Sequence, residues 1–273
     1  MFCYQCEQTA KGQGCDRFGV CGKDPDTAAM QDLLIYLSRG IAQYAHAARG
    51  RGVSDREVDL FVVEALFSAV TNVNFDAESI AARIRRGLEL RGRIREMYEE
   101  ACRAAGETPD RFSGPAVEEI PDEMEGMLAT AAELGIAKRL DARGADITGL
   151  EELITYGLKG AAAYADHAGI LGVESDEAYA FFHEALAFLT REHSVEELLG
   201  MALRVGEHNL RVMELLDRAN TSAYGHPVPT PVRVTPVKGR AIVVSGHDLR
   251  DLKLLLEQTE GKGIDVYTHG EML

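Results

Sequence analysis

One stretch of the chain is written twice. Residues 33–68, moved by 120 positions, lie on 153–188 without a gap. Leu33, Tyr36, Gly40, Ala42, Tyr44, Ala45, Ala48, Gly52, Val53, Glu57, Phe61, Glu64, Ala65 and Leu66 recur as Leu153, Tyr156, Gly160, Ala162, Tyr164, Ala165, Ala168, Gly172, Val173, Glu177, Phe181, Glu184, Ala185 and Leu186. That is 14 identities in 36 positions, where unrelated segments share about two or three. Two copies of one sequence imply two copies of one helical hairpin.

The period within each copy is helical. Pro25 and Asp26 stand where a helix begins, and Leu33, Leu34, Leu37, Ile41, Tyr44 and Ala45 follow at helical spacing. A second helix is predicted over 56–70 behind the cap-like Ser54-Asp55, and a third, highly charged, over 77–104. The counterpart of the third is predicted over 195–219. The expected architecture is therefore two repeated three-helix bundles on short loops. Gly40 and Gly160 should let a neighbouring helix come close, and Glu64 and Glu184 should be core carboxylates held by backbone or Arg.

The ends of the chain differ from this pattern. Residues 1–24 are rich in Cys and Gly and carry no helical period, so they read as a loop wrapped around something. The proline-rich stretch 226–231 cannot be helical. After it, Arg240–Ser245 reads as a buried parallel strand, Leu249–Glu260 as a helix and Ile264–Thr268 as a second strand. The fold class expected is mainly α, with an N-terminal Cys loop, two three-helix bundles and the first strand-helix-strand of a parallel α/β, Rossmann-like domain. The domains are expected at 1–24, 25–110, 111–225 and 226–273. One strand-helix-strand unit leaves its faces uncovered, so the chain is expected to be the front half of something longer.

Composition removes several function classes. Net charge is −15, from 44 acids against 29 bases. Such a field repels nucleic acid and anionic membrane, so neither is an expected partner. No apolar run spans a membrane, and the opening Met-Phe-Cys-Tyr-Gln-Cys has no signal-peptide character. A cytoplasmic location is expected, where thiols stay reduced and clustered cysteines serve as metal ligands or redox groups. The sequence holds no Gly-rich nucleotide fingerprint, P-loop or nucleophile elbow.

Chemistry concentrates in two places. Cys3-x2-Cys6-x8-Cys15-x5-Cys21 can wrap one compact metal group, with Gly12, Gly14, Gly19 and Gly22 permitting the turns. Four thiolates suit a cubane iron–sulfur cluster or a zinc ion, and redox-active or structural thiols are a third option. Cys102 stands alone and reads as a half-buried, inert thiol. The second place is the C-terminal edge of the predicted sheet, where parallel α/β folds bind ligands. His247, His269 and Glu271 could project there into one crevice, and His and carboxylate are good iron ligands. Asp248 could instead cap the following helix. The remaining histidines show no ligand pairing, and His183 lies where the first copy has Val63.

The opening Met-Phe-Cys-Tyr-Gln-Cys-Glu-Gln-Thr with Cys15 and Cys21, the run Val244–Leu249 and the run Tyr267–Leu273 together resemble the hybrid-cluster protein family, also called the prismane or hydroxylamine reductase family. The resemblance covers the whole chain, as the N-terminal half of the cubane-type form. It implies that Cys3, Cys6, Cys15 and Cys21 bind a 4Fe-4S cluster, and that His247 and Glu271 are two ligands of a hybrid 4Fe-2O-2S cluster, with His269 outside the ligand set. It implies an iron–sulfur oxidoreductase that converts hydroxylamine, two electrons and two protons to ammonia and water. A small N-oxygen substrate, a redox partner protein as electron donor, and a second chain or the missing C-terminal half are the implied partners. The family's hybrid cluster needs further cysteines, and this chain has none after Cys102. For the 273 residues alone, the alternative is a non-enzymatic 4Fe-4S electron carrier or a redox or nitrosative-stress sensor.

Overall fold

The computed structural model describes residues 1–71 and 73–272. Leu273, the last residue of the C-terminal motif, lies outside them. Two compact units are present, one of residues 1–166 and 175–213, the other of residues 167–174 and 214–273.

The first unit carries the repeat except for residues 167–174. Helix α1 (Pro25–Arg49) starts with Pro at its first position, and the Asp24 carboxylate accepts from the Thr27 N–H at 2.7 Å. Asp55 caps α2 (Arg56–Ser68) and Asp76 caps α3 (Ala77–Ala104) in the same way. The charged α3 belongs to the core because Ile80, Ile84, Leu90, Ile94 and Tyr98 recur on one face, and all five are buried. The same face brings in Gly87, where a Cβ would lie 2.7 Å from both Leu37 and Phe61. The second copy forms α6 (Ala145–Ile170), α7 (Asp176–Phe188) and α8 (Val195–Tyr224). There a Cβ on Gly157 of α6 would lie 2.7 Å from Val205 of α8. One continuous apolar core runs through both copies.

Two short helices, α4 (Met124–Leu134) and α5 (Ile136–Arg143), stand between the copies and were not expected from the sequence. Met127 and Ala131 of α4 are buried in the common core. The glycines also act differently from expectation. Gly40 admits the Pro115 carbonyl, which a Cβ would meet at 2.0 Å, and so accommodates a short 3-10 turn at 114–116 instead of a helix. Gly160 has open space around its Cβ position. Glu64 and Glu184 do pair with arginines, Arg83 and Arg204, but on the surface. Cys102 is fully buried rather than half-buried.

The second unit holds β1 (Arg240–Ser245), α9 (Leu249–Thr259) and β2 (Ile264–His269). The strands pair in parallel, with Arg240 opposite Ile264 and Ser245 opposite His269. Asp248 caps α9, accepting from the Arg250 and Asp251 N–H groups. A small core of Ala168, Leu215 and Ala219 anchors the unit. The reading of β1 as a buried strand is overturned, since Val243 is 72% exposed and no residue of either strand is buried. Two strands and one helix have too little surface to cover both faces of a sheet. Among the described residues, no helix is long and apolar enough to cross a membrane.

Candidate metal-binding sites

The N-terminal loop is closed by its own cysteines. Cys3 and Cys15 exchange two backbone hydrogen bonds, Cys3 N–H to the Cys15 carbonyl at 3.0 Å and Cys15 N–H to the Cys3 carbonyl at 2.8 Å. Cys6 is tied in through its carbonyl, which accepts from the Thr9 N–H at 3.2 Å. Cys21 closes over Gly19, where a Cβ would sit only 3.0 Å from its Sγ, so the turn has no room for a larger residue. Sγ of buried Cys15 accepts from the Ala10 N–H at 3.4 Å and lies 3.7 Å from Thr9 Oγ1. Backbone N–H groups of Val20 and Ala10 hold this thiol below its ordinary pKa. Donors aimed at a sulfur favour the thiolate, which is the form that binds metal.

All five cysteines are free thiols. Among the described residues, no three His, Cys, Asp or Glu side chains close around a single ion. The donor set itself suits a thiolate-ligated group, with four soft sulfurs in one loop and backbone N–H groups directed at one of them.

At the sheet edge, the structure unites two of the three residues singled out from the sequence. His247 Nε2 lies 2.7 Å from Glu271 Oε2, and both side chains are exposed. Parallel pairing of Ser245 with His269 brings the two strand ends level, which sets His247 beside the 3-10 turn that carries Glu271. His269 goes elsewhere, its Nδ1 lying 3.2 Å from Ser245 Oγ. Asp248 is spent on its helix cap.

A buried polar cluster next to the cysteine loop was missed by the sequence reading. Lys159 Nζ donates to Gln5 Oε1 at 3.3 Å and lies 5.5 Å from the centre of the Tyr156 ring. Tyr156 meets Tyr4 edge-on, and Tyr4 meets Phe2. Burial pushes Lys159 down to about 8 and Asp32 up to about 6. Burial also pushes Glu152 up, but the Arg139 and Arg39 guanidiniums outweigh it and leave the carboxyl below its ordinary value. A signal was present in the repeat. Asp32 and Glu152 are equivalent positions, as are Arg39 and Lys159, so acid and base recur in both copies without being identical.

The chain is 50% identical over 274 residues to a protein named hydroxylamine reductase from Rhodospirillum rubrum, covering 100% of this chain and 50% of the relative. Proteins of the same name from Syntrophobacter fumaroxidans and Geobacter metallireducens are 50% and 48% identical, again over 100% of this chain and 50% of theirs. The chain thus spans about half the length of the curated relatives it matches. The family profile matches residues 1–273, and the chain belongs to the Prismane/CO dehydrogenase family.

Proposed function

We propose that this chain is the electron-receiving half of an iron–sulfur oxidoreductase of the hydroxylamine reductase type. The observation that carries the reading is the 2.7 Å approach of His247 to Glu271 at a parallel sheet edge, in a chain half identical to proteins bearing that name. Within it, residues 1–24 form the cluster loop, 25–110 and 111–225 the two helical domains, and 226–273 the start of the domain for the second cluster. The protein works in the cytoplasm, where its thiols stay reduced.

In this reading Cys3, Cys6, Cys15 and Cys21 hold a 4Fe-4S cluster. The Ala10 and Val20 N–H groups stabilise the negative charge on the Cys15 sulfur. His247 and Glu271 offer one neutral nitrogen and one anionic oxygen to the hybrid 4Fe-2O-2S cluster, whose other ligands come from the remaining half of the protein. Glu271, hydrogen-bonded to His247, sets the orientation of the imidazole before metal arrives. When bound, the clusters supply electrons and an open iron position, so that hydroxylamine, two electrons and two protons give ammonia and water. A redox protein delivers the electrons.

Anaerobic purification and metal analysis test the first site. About four irons and four sulfides per chain are expected, lost in Cys15→Ser, and stoichiometric zinc without iron overturns the assignment. Hydroxylamine consumption by the full-length protein tests the second. His247→Ala and Glu271→Gln should abolish turnover while leaving the first cluster's spectrum intact, and unchanged turnover refutes the role. For the 273 residues alone, a 4Fe-4S electron carrier is the second reading, favoured because the N-terminal loop alone gathers four of the five cysteines. Hydroxylamine turnover by the isolated chain would refute it.

A further inference from the structure

Both copies of the repeat send the same kinds of side chain into one cavity. It measures about 450 Å³, lies within the first unit, and takes Asp32, Tyr36 and Arg39 from α1 and Glu152, Thr155 and Lys159 from α6. Asp32 and Glu152, and Arg39 and Lys159, are equivalent repeat positions. We propose that this cavity is a binding site for a small organic monocarboxylate, anchored by Arg39 and Lys159.

The charge inventory leads to an anion. Four acids and five bases line the cavity. Lys138 pairs with Glu133, Arg143 with Glu151 and Arg139 with Glu152. Among the lining acids Arg39 reaches only the already paired Glu152, at 4.0 Å, and Lys159 donates to Gln5, so the lining carries one base more than it has acids. Arg39 is 8% exposed, and its Nε finds no acceptor among the described residues. Its other edge is fixed, one terminal nitrogen donating to Thr155 Oγ1 at 3.0 Å while that hydroxyl donates to the Glu151 carbonyl at 2.7 Å. A buried guanidinium N–H without an acceptor is costly, and a carboxylate oxygen is the acceptor that restores it with charge. Burial and the nearby Arg139 lower Arg39 to about 10, a cost that a bound anion relieves.

The cavity's size and remaining walls set the class of anion. Ile35, Pro115, Leu134 and Leu189 add apolar lining to the charges. A cavity of this volume holds several heavy atoms, more than an inorganic ion supplies. A charged head on an apolar body matches this mixed lining. The site does not depend on the metal reading, although Lys159 also touches Gln5 in the cysteine loop.

Calorimetric titration of the purified chain with butyrate, its neutral isostere butanamide and inorganic phosphate tests the proposal. Saturable binding of butyrate with a Kd at or below about 1 mM is expected, with butanamide and phosphate at least about tenfold weaker. Arg39→Gln and Lys159→Met, each checked for native helical circular dichroism, should weaken butyrate by about tenfold or more. Equal binding of butyrate and butanamide, phosphate binding as tightly as butyrate, absence of saturable heat, or full affinity in a folded Arg39→Gln protein would each overturn it. If neither variant folds, the comparison of the three probes on the unaltered chain decides.

Discussion

The two copies of the repeat keep the same backbone and exchange its contents. In the first, Leu37 of α1 fills the space over Gly87 of α3. In the second, the position equivalent to Leu37 is Gly157, and it faces Val205 of α8. Large-on-small has become small-on-large across one helix contact. The packing constraint acts on the combined volume of the pair, so either partner can be the large one. The copies also divide a polar lock between them. Asp59 of α2 accepts from Arg49 at 2.6 Å and lies 2.7 Å from His183 Nε2 of α7. Its equivalent in the second copy is Tyr179, and the equivalent of His183 is Val63. Duplication supplied the scaffold, and later divergence joined the halves through a contact that neither copy makes by itself.

Four sets of substitutions test this contrast. The largest effect is expected for Asp59→Ala, which leaves the buried His183 and the half-buried Arg49 without their shared acceptor, Arg49 keeping only the exposed Asp176, and should cost about 3 kcal/mol by urea unfolding. The Arg49 and His183 partners overcome burial and keep the Asp59 pKa depressed. Its stabilisation is therefore present above the ordinary carboxylate pKa and lost as pH falls through the lower folded value. The gap between Asp59→Ala and the parent should close in that acid range, and a gap independent of pH would break the lock.

Gly87→Leu should cost about 3 kcal/mol by overpacking against Leu37 and Phe61. Leu37→Ala in the same chain should recover part of it. Gly157→Leu should behave likewise and be relieved by Val205→Ala. Failure of either rescue would show that the two contacts are not volume-exchanged versions of each other.

Capping is expected to be asymmetric at a smaller scale. Asp55 accepts from two N–H groups and also pairs with Arg93 at 2.6 Å, whereas Ser175 accepts from Ala178 N–H alone. Asp55→Ala should cost about 1–2 kcal/mol and Ser175→Ala about 0.5–1 kcal/mol in unfolding experiments. Equal losses would remove this distinction.

Asp32→Asn should have a comparably small effect, and it should stabilise. Burial raises the Asp32 pKa to about 6, so the charged form disfavours the fold above that pH. The variant should gain about 1 kcal/mol at pH 8, with the gain shrinking as pH falls through about 6 and vanishing below about pH 3, where the parent is protonated in both states. A constant gain across that range would exclude titration of Asp32 as its origin.

Local rules made much of the fold legible. Pro25, Asp55 and Asp248 announce helix starts, and α3 occupies the span predicted for it. The short helices α4 and α5 escaped notice because Gly135 breaks their pattern after 11 residues. At the sites, the cysteine spacing marked a candidate metal loop, and the strand ends marked His247, His269 and Glu271, of which His247 and Glu271 lie together. The cluster around Arg39 and Lys159 was hidden because its repeat signal is chemical rather than identical.

Sequence alone determined the duplication, the helices of the two copies, the cysteine-rich loop and the parallel strand-helix-strand unit, since each depends on residues near one another in the chain or on a direct self-match. Tertiary structure alone decided that Asp59 meets His183, that Gly40 admits Pro115, and that Arg39 and Lys159 face one cavity. These pairings join residues 75 to 124 positions apart. No helical or strand period spans such distances, so the partner is chosen only when the helices pack and their volumes and charges must be satisfied together.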